Sequence, residues 1–283
     1  MSTAATRTSL RLMCVAAAAI LGAASASRAQ ITSQNGGPNL MQESNSMEQR
    51  LYVGTADTQA DREQGAAYQA FLKERDPAKR IRLGNEYLNK FPKSALAERV
   101  DVGLMNAYRA ERDWKNSFRF GDNALALDPD DVDVLATVGW TIPHVYDPND
   151  ADADQELKKA ETYAKHAIEV MARMAKPKAL TDAQFAEAKA RRTFQAHSAL
   201  GIVYFRRDDY DNSAKELAQA TQGNPAPDPT DLFILGVDLQ NLNRYGEAAD
   251  AFSGCGRIAG PLQEQCKQGA DSAKARAEQA KPK

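Results

Sequence analysis

From Gln59 onward, apolar side chains recur every three or four residues, and no strand-like alternation competes with that period. The stretch AAYQAFLKERDPAKRIRLGNEYLNKFP (66–92) predicts two helices broken at Asp76-Pro77, because proline lacks an amide and cannot continue a helix interior. Further on, Thr181 or Asp182 can cap a helix that meets no breaker for many residues, which predicts an unusually long element. Aromatic residues make up 7% of the chain and Ala-rich segments dominate between residues 59 and 280, which suits closely packed helices better than a sheet. The fold class expected is all-α.

The pattern also repeats. LGIVYFRRDDYDNSAKELAQATQGNP (200–225) aligns with LGVDLQNLNRYGEAADAFSGCGRIAG (235–260), pairing Leu-Gly with Leu-Gly, Tyr210 with Tyr245, Ser213 with Ala248, Leu217 with Phe252 and Ala220 with Cys255. An earlier copy places Leu104, Tyr108, Asp113-Trp114, Ala124 and Pro129 correspondingly, and VGWTI (138–142) begins another. A weaker copy lies over 61–92. In the third copy, Ala160, Ala164 and Ala167 resume the second-helix series late, which marks an insertion near 147–154.

This pattern resembles the tetratricopeptide repeat, a helix-turn-helix unit in which small residues let two helices approach and Leu and Tyr fill the seam. The resemblance implies a right-handed superhelical solenoid over 59–260, with repeats at about 61–92, 98–131, 132–172, 194–228 and 229–260. A C-terminal capping helix and tail follow over 261–283. It further implies a concave groove lined by the first helix of each unit. The groove positions are Arg99, Asn106 and Arg109; Trp140 and His144; Ile202, Phe205 and Arg206; and Phe233, Val237 and Gln240. For some of them, Ile202 and Phe233 above all, packing on the neighbouring helix is the competing expectation. Asn106 matches one place of the family's carboxylate clamp, but Val102 stands where the clamp lysine belongs. The lining instead suits an extended peptide with apolar side chains and some negative charge.

Composition narrows the partner. With 36 basic and 38 acidic side chains, the chain has no bulk attraction for nucleic acid or anionic membranes. Residues 1–29 read as a cleaved signal peptide: Arg7 and Arg11 precede the apolar run LMCVAAAAILGAASA, and Ser27-Arg28-Ala29 forms the cleavage pattern. Export to the periplasm or cell envelope of a bacterium, or secretion, is expected, with no membrane span after cleavage. Residues 30–58, rich in Gln, Asn, Ser and Gly, read as a flexible arm. The mature chain keeps Cys255 and Cys266, placed evenly about Gly260-Pro261; a disulfide and a pair of buried thiols both fit.

Candidate chemistry is sparse. Asp150, Asp152, Asp154 and Glu161 nearly spell a calcium loop, but Gln155 occupies the place of the turn-forming glycine, so an acidic helix start is the stronger reading. There Asp152 or Asp154 would cap the helix. His144, His166 and His197 show no ligand spacing, and Asp208-Asp209 falls in a turn. No nucleophile motif or phosphate loop accompanies them. The expectation is a non-catalytic protein-binding scaffold without a cofactor, recognising a protein or peptide segment. The alternatives are an envelope assembly factor binding through outer helices and insertions, and a calcium-regulated module or helical enzyme.

Overall fold

The computed structural model describes residues 59–280; the signal peptide and arm expected upstream lie outside the described residues. Among the described residues every regular element is helical. The helices are α1 (Gln59–Lys73), α2 (Pro77–Lys90), α3 (Ala97–Ala110), α4 (Trp114–Leu127), α5 (Val132–Val145), α6 (Ala153–Arg173), α7 (Asp182–Arg206), α8 (Tyr210–Thr221), α9 (Pro229–Asn241), α10 (Tyr245–Gly256) and α11 (Gln263–Gln279). None of them is long and apolar enough to cross a membrane.

Short polar side chains start several of these helices. Asp76 accepts the Lys79 amide at 2.9 Å, Asp113 that of Asn116 at 3.1 Å, Asp209 that of Asn212 at 3.3 Å and Asp228 that of Thr230 at 2.8 Å. Each satisfies an amide that has no partner within its helix. Pro77 and Pro229 follow two of these caps, where a missing amide costs nothing. At the start of α7, Thr181 Oγ1 accepts the Gln184 amide while Gln184 Oε1 accepts the Thr181 amide, a reciprocal capping box. The helix so started runs 25 residues without a breaker.

One turn geometry recurs at three places. Arg112, Asp208 and Asn243 have φ of 61°, 57° and 60°, the left-handed region. Each donates its amide three residues back, to Arg109, Phe205 and Gln240. The next residue in each case, Asp113, Asp209 or Arg244, donates to the carbonyl five residues back, on Tyr108, Tyr204 or Leu239. This ends the preceding helix and admits the next one after a single extra residue. Asp208 and Asn243 also accept the hydroxyls of Tyr210 at 2.8 Å and Tyr245 at 2.7 Å, so the aromatic opening the second helix helps hold the turn.

The chain forms two compact units. The first contains, of the described residues, 59–138 and 169–190; the second contains 139–168 and 191–280. In the first, α1 packs on α2, α2 on α3 and α3 on α4. Phe71 fills the seam, with Gly84 and Gly103 facing its ring: a Cβ on Gly84 would lie 2.9 Å from it. Ser94, in the α2–α3 loop, ties this unit together by accepting the Gln64 carboxamide at 2.8 Å and meeting the Tyr87 hydroxyl at 2.7 Å.

In the second unit α8 packs on α9, α9 on α10, and α11 on both α10 and α9. Phe252 is its centre, held between Gly236 and Gly269, where added Cβ atoms would come within 2.7 and 2.9 Å of the ring. Burying such a side chain stabilises by about 1.5–3 kcal/mol. Cys255 and Cys266 are joined by a disulfide across α10 and α11, their Cα atoms 5.7 Å apart.

The loop between α5 and α6, where the sequence pattern predicts an insertion, spans 146–152, and residues 153 and 154 already belong to α6. Asp147 organises it, accepting the Asn149 amide at 2.9 Å and carboxamide at 2.8 Å, while Asp150 donates its amide to the Asp147 carbonyl. Asp152 holds the cap place and Asp154 lies in the first turn of α6.

Candidate functional site

In the second unit, α5, α7 and α9 bring together residues far apart in sequence. Trp140 Nε1 donates to Ser198 Oγ at 3.1 Å, and Ser198 donates to Asp231 Oδ1 at 2.7 Å. All three are buried, and burial pushes the Asp231 carboxyl well above the usual range, with Asp228 adding repulsion. The His144 ring lies over Trp140 with centroids 3.8 Å apart, and its Nδ1 is 2.7 Å from the Trp140 carbonyl oxygen. That oxygen can only accept, so Nδ1 carries the proton and Nε2 is the lone-pair nitrogen, buried without a partner. Burial lowers the His144 pKa, against the pull of Asp228, so the ring is neutral near pH 7.

Arg206 closes the cluster. Its Nη2 donates to the Pro143 carbonyl at 3.2 Å, one of the carbonyls left open at the end of α5, and its guanidinium lies 5.2 Å from the Tyr146 ring centroid. The same cation satisfies a helix end and presents a half-buried charge beside His144.

The helix-face positions expected to meet a ligand divide into two sets. Ile202 is a core residue with no exposure, which corrects its assignment to a groove: it packs with Phe205, Leu217 and Ile234. Phe205, Val237 and Gln240 are also buried, as is Trp140, so in this structure they form a wall rather than an accessible lining. His144, Arg206 and Phe233 remain half-buried, with Phe233 edge-on to Phe252 at 5.7 Å. In the first unit Arg99, Asn106 and Arg109 are half-buried as well. Asn106 donates to the Val102 carbonyl at 3.0 Å and accepts from Arg109 at 3.3 Å.

The acidic stretch does not form a cation cage. Glu161 turns to the second unit's own donors: Lys165 at 2.6 Å, Tyr204 at 3.3 Å and Arg207 at 2.5 Å. Partial burial raises its pKa, and Lys165 and Arg207 together outweigh that and hold it below the usual value. Asp150 and Asp152 are exposed in the loop. Among the described residues no group of three or more His, Cys, Asp or Glu side chains is arranged to hold a metal ion. His197 pairs with Glu216 at 2.6 Å, and His166 is half-buried on α6.

Sequence reasoning missed the buried polar pairs. Ser198 with Asp231, and Ser213 with Asp238 at 2.5 Å, join residues on different helices. The one available signal was a pair of Asp residues seven apart on α9, whose intervening residues are largely apolar.

No protein-family model matches the chain, and no curated protein matches it.

Proposed function

We propose that this protein is a non-catalytic, protein-binding scaffold of tetratricopeptide-like helix pairs, stacked as a right-handed superhelical solenoid and exported to the bacterial cell envelope. The carrying observation is the division of the first-helix register. Trp140, Ile202, Phe205, Val237 and Gln240 are buried, whereas Arg206, His144 and Phe233 in the second unit and Arg99, Asn106 and Arg109 in the first stay partly accessible. Guanidinium groups in both units, with the Asn106 carboxamide in the first and the Phe233 edge in the second, suit extended segments with apolar and acidic side chains, bound with little ordering of the scaffold. The recurring left-handed turn at Arg112, Asp208 and Asn243 supports the repeat reading.

The test is co-purification from cell-envelope extracts with wild type and an Arg206→Glu/Phe233→Ala variant. Both side chains are partly accessible, so the variant is expected to fold and to lose partners that the wild type retains. An unchanged set of partners in a folded variant would remove this face as the binding surface.

A second reading rests on the exposed insertion at 146–152, where Asp147, Asp150 and Asp152 project from the α5–α6 connection. An assembly factor would use such a loop to hold another subunit. Substituting the three acids with Asn and finding co-purification lost, while Arg206→Glu leaves it intact, would favour this reading.

A further inference from the structure

Leu127 ends α4 with 59% of its surface exposed, the only large apolar side chain so exposed among the described residues. It stands on the rim of a first-unit cleft of about 410 Å³, whose walls include Ser94, Glu98, Arg99, Asp128 and Asp131. That volume lies within the roughly 300–1,000 Å³ range of ligand sites. The cleft lies where the α2–α3 loop and the first turn of α3 meet the α4–α5 connection; of the helix-face positions in this unit it includes Arg99 but neither Asn106 nor Arg109.

Its charge is unbalanced. Three carboxyl groups line it against one guanidinium. Glu98 is half-buried in it and Asp131 is buried. Burial is the largest cause raising Glu98, with Asp128 adding to it. Burial likewise raises Asp131 to about 7, with Asp133 and Glu98 adding to it. Asp131 also accepts the Asp133 and Val134 amides, so it is held in place as the cap of α5. A cation entering the cleft would pair with carboxyl groups already in position. An apolar neighbour on the same ligand would cover Leu127.

We propose that this cleft is a second docking surface, specific for a partner segment in which a lysine or arginine stands beside a large aliphatic or aromatic residue. This rests on the reading of the protein as a protein-binding scaffold, and it adds a surface with the opposite charge preference to the Arg206 face.

The experiment presents the full chain with an array of short peptides in a Gly/Ser background, each carrying one central pair: Arg-Leu, Lys-Phe, Ala-Leu, Arg-Ala or Glu-Leu. The best peptide is then measured by fluorescence anisotropy. Arg-Leu and Lys-Phe peptides are expected to bind at least tenfold more tightly than the other three, and more weakly as salt is raised. Leu127→Ser and Glu98→Gln/Asp128→Asn should each abolish that preference while leaving the thermal melt unchanged. Both variants spare the Asp131 cap.

Equal binding of Arg-Leu and Glu-Leu peptides, or full binding by the folded cleft variants, overturns the proposal. Loss of the same binding in Arg206→Glu with the cleft variants intact would leave the scaffold reading standing and remove the cleft. A cross-link from the cleft to residues 30–58 of the free chain, or a dimer abolished by Leu127→Ser, would assign the cleft to the chain's own segment or a second copy and likewise overturn it.

Discussion

Ser213 Oγ lies 2.5 Å from Asp238 Oδ2 and 2.9 Å from the carbonyl oxygen of Gly201. One hydroxyl hydrogen cannot serve two acceptors. A proton on Asp238 resolves the geometry: the carboxyl donates to Ser213, and Ser213 donates to Gly201. Burial, chiefly, raises Asp238 to about 8, with Asp209 adding to it against the Ser213 hydrogen bond. Asp238 Oδ1 is buried with no partner, which a neutral carboxyl tolerates far better than a charged one.

The pH dependence of folding follows. An unfolded Asp releases its proton near pH 4, whereas the folded chain keeps this one to about pH 8. Between those values the native state binds more protons, so the Asp238 contribution is full in acid and is lost as pH rises to about 8. Asp238→Asn stays neutral throughout and can still donate to Ser213. Urea unfolding at pH 5, 6.5 and 8 should show a shallower decline for this variant and greater stability than wild type at pH 8. Asp238→Ala should be less stable than wild type at pH 5, by about 1–3 kcal/mol.

Two glycines one turn-connection apart should respond oppositely to alanine. At Gly236 the new Cβ would meet the Phe252 ring at 2.7 Å, and that ring is held from the other side by Gly269. Gly236→Ala should therefore cost about 1–3 kcal/mol. Gly246 sits in the first turn of α10 with open space around it, so Gly246→Ala should be neutral or stabilise by up to about 1 kcal/mol. Thermal melts of the two variants provide the comparison.

At the recurrent turn, Asn243 already belongs to the residue types that accept φ near 60°, and it receives the Tyr245 hydroxyl. Arg112 has the same φ without that chemical suitability. Arg112→Gly should raise stability by about 0.5–1 kcal/mol, and Asn243→Gly should gain less or lose a little. Denaturant midpoints at fixed pH separate the two outcomes.

Ser198→Ala would leave Trp140 Nε1 and Asp231 Oδ1 without their shared partner inside the second unit. The expected loss is about 1–3 kcal/mol, larger than for Ser213→Thr, which retains a hydroxyl. The Trp140 fluorescence maximum, read beside the stability, should shift if the indole loses its buried partner.

The helices were legible because their punctuation is local. Asp76-Pro77, Thr181 with Gln184, and the turns before Trp114, Tyr210 and Tyr245 each act within a few residues. The buried carboxyl groups were not, since Asp231 and Asp238 meet serines 33 and 25 residues away, and nothing adjacent in the chain announces those meetings. Ile202 shows a different limit. Its register gives the direction in which a side chain leaves the helix, but whether a neighbour covers it is a tertiary outcome. Glu161 kept the spacing of a calcium ligand, yet Lys165 and Arg207 reached it from the same unit. The acidic Asp128–Asp131 stretch shows nothing in sequence of its proximity to Glu98, because the two lie on opposite sides of a helix pair's length of chain.

The covalent tie between Cys255 and Cys266 also gives the second unit a direction. A terminal helix is covered on one side alone and is ordinarily where a stack of helices begins to melt. Here α11 cannot leave α10 without breaking a bond, and the entropy removed from the unfolded loop corresponds to about 3 kcal/mol. Under oxidising conditions, loosening must therefore start away from the C-terminus. Adding a reductant reverses that order and exposes the Phe252 ring first, so a protease probing the partly opened chain would report the redox state of its surroundings.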